Sequence, residues 1–268
     1  KKLSVEYFGI GDLEVSHNDK YLAYSLDLKG SEYYSIFIRE ISTNKLVTKE
    51  IVDTSGSITF SLDDKYIFYS KLDKNHRAKT IFRHEIGNFK KEDELIFEEK
   101  NDAFTVSIGI SSDEKYYFIS SSDHNTSEQY YFDINEKKPR PKLIQKREKG
   151  ILYSVNSWNG FFYMHTNKNA EDFKILRTDS INFDTWKTFI AEKNETLIGG
   201  LTFLKNWIIR SEVNNALGKI FVRNLKTDEE EELIFSDEKV YDGGVSLIQK
   251  DKDTDLVHIS YSTPKTQS

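Results

Sequence analysis

The chain has 268 residues, a net charge of −6 and no cysteine. It therefore holds no disulfide and no cysteine-ligated zinc or iron–sulfur site, which fits a reducing, cytoplasmic setting. Scattered Lys and Arg under a negative balance argue against nucleic acid as a partner. No apolar run approaches the roughly 20 residues of a membrane helix, and Lys1-Lys2-Leu3-Ser4 leads into a strand-like segment with no signal-peptide pattern.

The first strand-like stretch runs into the phrase SHNDKY, Ser16 to Tyr21, which returns as SLDDKY, Ser61 to Tyr66, and SSDEKY, Ser111 to Tyr116. Looser copies follow at Asn159-Gly160-Phe161, Lys205-Asn206-Trp207 and Thr254-Asp255-Leu256. The residue after the turn falls at 21, 66, 116, 161, 207 and 256, in steps of 45, 50, 45, 46 and 49. A period of this size with several short strands per repeat is the pattern of a β-propeller blade.

The second repeat shows the elements. Ile58-Thr59-Phe60-Ser61 predicts a short strand, and Leu62-Asp63-Asp64-Lys65 a tight turn, because Asp side chains cap turns and tolerate unusual backbone angles. Tyr66 to Ser70 is an apolar run expected of a strand covered on both faces. Thr80 to Ile86 alternates as a third strand, and Glu94 to Glu98 forms the outer one. Third strands recur at Ile36 to Arg39, Tyr130 to Asp133, Ile175 to Thr178 and Ile220 to Arg223, and outer strands at Lys142 to Gln145 and Glu232 to Phe235. Five repeats read as complete, about 10–52, 55–99, 104–147, 151–193 and 196–238. A sixth, 241–268, carries two strands. Each blade buries its faces against two neighbours, so the expectation is an all-β, incomplete propeller arc whose end blades expose apolar faces.

Sites of chemistry are sparse. The nearest approach to a G-x-S-x-G elbow, Gly109 to Asp113, lacks the second glycine and falls inside a repeat turn, so Ser111 reads as a turn residue. No phosphate-binding glycine loop occurs. His17, His76, His84, His124, His165 and His258 have no zinc-type spacing, and His84 reads as an ordinary strand residue. Asp251, Asp253 and Asp255 imitate the start of a calcium loop, but Leu256 and Ser262 stand where Gly and Glu are needed, so they read as a solvated acidic hairpin. No catalytic residue, metal site or cofactor is expected.

From Arg83 to Glu128 the chain reads RHEIG, DELIFEEKNDAFTVSI and SSDEKYYFISSSDHNTSE. With FKILRTDS and LIGGLTFLKNW between Phe173 and Trp207, and the opening YFGIGDLEVSHNDKYLAYSLD, this resembles the N-terminal propeller of the oligopeptidase B branch of the prolyl oligopeptidase family. The resemblance covers essentially the whole chain. It implies a seven-bladed propeller capping a serine-peptidase α/β-hydrolase domain, with this chain supplying blades two to six and half of blade seven. It implies that the peptidase domain of the same protein is the partner and that the full enzyme cleaves short peptides after Arg or Lys. The propeller would gate access, and this chain would be inactive. A stand-alone propeller acting as an interaction scaffold is the alternative. A sialidase-like enzyme would need three arginines in the central pocket, whereas Arg39, Arg83, Arg177 and Arg223 fall on third strands. Connections into the innermost strands place Glu6, Tyr7, Asp102, Phe104, Tyr153, Glu195 and Tyr241 around one mouth of the channel. Glu6, just before Tyr7-Phe8-Gly9, is the candidate interdomain contact, with a solvated loop glutamate as the plain alternative.

Overall fold

The computed structural model describes residues 7–89, 92–234, 242–247 and 252–263. Every regular element among them is a strand, so none of them belongs to a helix long and apolar enough to cross a membrane. The chain forms two compact units, Lys1–Gly150 and Ile151–Ser268.

In the first unit, strands β1 (Gly9–Val15), β2 (Tyr21–Asp27), β3 (Tyr34–Glu40) and β4 (Lys45–Leu46) form an antiparallel meander. The next repeat supplies β5 (Ile51–Phe60), β6 (Tyr66–Leu72), β7 (Ala78–Glu85) and β8 (Glu94–Glu98), and the third β9 (Thr105–Ile110), β10 (Tyr116–Ser122), β11 (Ser127–Asp133) and β12 (Lys142–Gln145). The second unit has β13 (Tyr153–Trp158), β14 (Phe161–Thr166), β15 (Lys174–Thr178) and β16 (Lys187–Ile190), then β17 (Thr196–Phe203), β18 (Trp207–Asn214), β19 (Leu217–Asn224) and β20 (Glu230–Glu232). A hairpin of β21 (Asp242–Leu247) and β22 (Val257–Ser262) follows.

The repeated phrase works as a side-chain-closed turn. Ser61 N donates to Tyr66 O (2.9 Å) and Asp64 N to Ser61 O (2.9 Å). The Ser61 hydroxyl accepts from Tyr66 N (3.0 Å) and donates to Asp63 (2.8 Å). Ser16 and Ser111 repeat the pattern with Tyr21 and Tyr116. One residue in each turn takes the left-handed conformation: Asp19 at φ 56°, Asp64 at 52° and Glu114 at 56°. In the fourth repeat the serine is gone, and Asn159 (φ 51°) with Gly160 (φ 81°) makes a two-residue turn with two positive φ angles.

Several strands extend a few residues beyond the predicted runs, as β11 and β19 do, and two differ in placement for a definable reason. β5 starts at Ile51 rather than Ile58, because Thr54 pairs with Tyr34 of β3 and its hydroxyl donates to Tyr34 O (2.9 Å). Gly56, at φ 94°, absorbs the register shift that follows. The first two repeats therefore share one eight-stranded sheet. The fifth outer strand sits at Glu230–Glu232 instead of Glu232 to Phe235, because Arg210 and Arg223 both hold Glu230. Phe235 lies outside the described residues.

The cores lie between neighbouring repeats, as blade stacking requires. Phe68 and Ile81 of the second repeat pack with Val106, Tyr117, Ile119 and Phe132 of the third. Trp158, Tyr163 and Ile175 of the fourth pack with Ile198, Phe203 and Ile208 of the fifth. Each fully buried Ile contributes roughly 1.5–3 kcal/mol relative to exposure. On β1, Ile10, Leu13 and Val15 are exposed.

Candidate interdomain face

In an antiparallel meander, the loops joining strands 2 and 3 and the connections between repeats share one end of each sheet. In the first unit that end is tied by charge. Glu99, Glu128 and Arg147 converge from the end of β8, from β11 and from beyond β12. Arg147 Nη2 lies 2.6 Å from Glu99 and 3.1 Å from Glu128, and both carboxylates are buried. Ser121 donates to Glu99 (2.6 Å), Asn101 N to Glu99 (2.8 Å), and Tyr130 O–H to Glu128 (2.6 Å). The guanidinium lies over the Phe104 ring, 4.0 Å from its centroid. Burial alone would raise both carboxyl pKa values. The hydroxyl and amide donors and Arg147 outweigh it and hold both below the ordinary range. Burial likewise opposes the charge on Arg147, and the two glutamates more than restore it. Lys79, itself buried, donates to the carbonyls of Asn101 and Phe104, so the connection between β8 and β9 is fixed along its length.

The rim residues predicted from sequence divide by this geometry. Asp102 and Glu195 are exposed, and Tyr7 is half exposed against Gly30. Glu195 holds φ 51° while Asn214 donates to its carbonyl (2.9 Å). Phe104 and Tyr153 are buried and support the rim from beneath. Glu6 and Tyr241 lie outside the described residues. Arg147 was missed by the sequence reading. Its partners are 48 and 19 residues away, and it sits in an unremarkable polar stretch, QKREKG.

The second unit has a larger cluster. Buried Arg210 makes a bidentate pair with Glu230 (2.7 and 2.9 Å) and donates to Glu212 (2.8 Å). Lys193 also reaches Glu212 (2.7 Å), and Arg223 reaches Glu230 (3.0 Å) and Asp228 (3.0 Å). Arg210 and Arg223 together depress the Glu230 carboxyl to about 2.

Residues weighed for catalysis have other partners. Ser111 is buried and closes its turn through Tyr116, Lys115 and Asp113. His17 and Asn18 donate to Asp64 of the following repeat through both backbone amides, with His17 Nδ1 3.0 Å away. His84 lies 2.7 Å from Asp93, which also takes the Tyr69 hydroxyl (2.7 Å), so it is more than the ordinary strand residue expected. Half-buried His165 reaches Ile198 O (2.7 Å) and stacks on Phe173, and burial lowers its pKa. Ser246 and His258 meet at 3.4 Å as an exposed cross-strand pair. No described histidine joins a serine to a carboxylate in triad fashion. Asp255 is not merely solvated, since it accepts from Asn206 N (2.8 Å) and from its side-chain amide. Among the described residues no group of three or more His, Cys, Asp or Glu is placed to hold a metal ion. Arg39, Arg83, Arg177 and Arg223 do lie on third strands; Arg39 donates to Tyr24 O–H, and the others lie over Tyr66, Phe161 and Phe189.

Residues 4–266 match the family described as prolyl oligopeptidase, N-terminal beta-propeller domain. The chain belongs to this family. It is 30% identical over 266 residues to Protease 2 of Moraxella lacunata, covering 97% of this chain and 38% of that protein. It is 27% identical to Dipeptidyl aminopeptidase BI of Pseudoxanthomonas mexicana, covering 97% of this chain and 36% of the relative. Among solved structures, oligopeptidase B from Trypanosoma brucei with covalently bound antipain, in its closed form, superposes with a TM-score of 0.88 at 25% identity. That match covers 97% of this chain and 38% of the other. The chain is thus an N-terminal β-propeller of the prolyl oligopeptidase type, and it spans little more than a third of the relatives' length.

Proposed function

We propose that the chain is the non-catalytic, substrate-gating propeller of a serine oligopeptidase that cleaves short peptides after Arg or Lys. The observation that carries this is the family match across residues 4–266, joined to the engagement of Ser111 in its turn and of His17, His84 and His165 with Asp64, Asp93 and Ile198 O. The rim fixed by Lys79 and Arg147 is the surface that meets the peptidase domain. A rigid rim suits a gate, because excluding folded proteins depends on a mouth that does not yield to them. Basic-residue selection follows the resemblance to oligopeptidase B. Similar identity to relatives named Protease 2 and Dipeptidyl aminopeptidase BI supports assigning the choice of cleavage mode to the peptidase domain.

The test uses the isolated chain and the longer protein side by side. The isolated chain should neither hydrolyse Arg- or Lys-ended chromogenic peptides nor react with a fluorophosphonate. The longer protein should do both, with the label outside these 268 residues, and should spare folded substrates. Label inside this chain, or a longer protein with no peptidase activity, overturns the proposal.

A further inference from the structure

The geometry points to a binding cleft between the second and third repeats of the first unit, built for a small ligand that presents an acyl oxygen on an apolar body. The cleft has a volume of about 580 Å³, within the general range of small-molecule sites. Phe68, Tyr117 and Phe132 form its inner wall, and the 61–66 turn and the residues after β11 form its mouth.

Two hydrogen-bond donors there have no acceptor. Arg83 Nε is buried with no acceptor, and the buried Tyr117 O–H likewise has none, its oxygen meeting only the Leu62 amide. Native interiors rarely leave such groups unmade, because each forfeits its hydration without return. Among the described residues five buried side-chain polar atoms lack a partner, and these two line one cleft. The rest of Arg83 is fixed: Nη2 donates to Glu94 (2.5 Å) and Lys137 O (3.0 Å), and the guanidinium lies over the Tyr66 ring at 4.4 Å. Tyr117 is held between Phe68 (4.7 Å) and Phe132 (4.9 Å). Neither donor is free to turn toward another partner.

The ligand class follows from the donors and walls. Burial pushes the Tyr117 hydroxyl well above the usual tyrosine range, so it stays protonated and can donate. Arg83 Nε–H is a donor and not an acceptor. The ligand must therefore bring acceptors only, and the aromatic wall selects an apolar body. At the mouth Lys65 pairs with Asp63 at 2.8 Å, and the other two lining charges there, Glu136 and Lys137, are opposite in sign, so the cleft does not demand a full negative charge. A free carboxylic acid and a peptide carbonyl share this chemistry.

Three probes on the same skeleton separate the cases: 4-phenylbutyrate, 4-phenylbutanamide and 4-phenylbutylamine, read by saturation-transfer NMR and titration on the purified chain. The acid should bind with a Kd below about 1 mM, and the amine should not. Binding of the amide as well extends the class to peptide carbonyls; binding of the acid alone restricts it to free acids. Tyr117→Phe should weaken the acid about tenfold and change the melting temperature little, since the O–H has no acceptor to lose and only the Leu62 amide approaches its oxygen. Ser154→Ala, in the other unit, should leave binding unchanged. The inference is overturned if no probe binds, as when the cleft holds ordered water only. It is also overturned if the amine binds equally, or if Tyr117→Phe leaves the affinity of the acid intact.

Discussion

The two units bury charge in opposite ways. In the first, a single guanidinium, Arg147, serves two buried carboxylates, Glu99 and Glu128. In the second, Lys193, Arg210 and Arg223 divide Glu212, Glu230 and Asp228 among them, so each of Glu212 and Glu230 touches two bases. Removing a lone base strands its acids in a poorly solvating interior, whereas removing one of several leaves a partner behind. The first arrangement fixes geometry more strictly and tolerates loss less well.

The largest effect should therefore come from Arg147→Met. With both carboxylates stranded, the loss should be about 3–5 kcal/mol, measured by urea unfolding. Arg210→Met, although its site is more deeply buried, should cost less, about 2–3 kcal/mol, because Lys193 and Arg223 remain. Equal losses would mean that redundancy gives no protection. The second cluster also has a pH signature. The folded Glu230 carboxyl sits near 2, below an ordinary value of about 4.5. Its contribution is present above about pH 4.5 and fades as pH falls toward 2. Glu230→Gln should flatten that part of the stability–pH curve.

Smaller effects come from a device that both units use. Asp64 of the second repeat accepts the amides of His17 and Asn18 in the turn before it. Asp255 does the same for Asn206 one repeat earlier. Asp64 is buried and Asp255 is exposed. Asp64→Ala should cost about 2 kcal/mol by removing a charged acceptor of two hydrogen bonds, and Asp255→Ala less than about 1 kcal/mol, since water replaces it. Thermal melts of the two variants compare them directly.

The sequence made the strands legible because each turn announces itself: a serine that closes it, a residue that accepts positive φ, and an aromatic that opens the next strand. Lys142 to Gln145 and Glu94 to Glu98 were read at their observed bounds. The shift of β5 was not legible, since Asp53-Thr54-Ser55-Gly56 has the composition of a loop and extends only because β3 offers it an edge. The candidate face was legible only in outline. Glu99 and Glu128 stood inside the motifs that carry the resemblance, but Arg147, which joins them, gives no local signal. Long-range pairing of charge leaves no period in a sequence.

The ladder between β3 and β5 has a kinetic consequence. Neighbouring blades in contact through side chains alone can separate by breathing, but β3 and β5 share main-chain hydrogen bonds across Tyr34–Thr54 and Ile36–Ile51. Amides from 9 to 98 should then gain protection from deuterium together, in one opening event, while those of β9 to β12 exchange on their own schedule. Any seam that opens by slippage in the first unit must lie after β8, where no such ladder crosses.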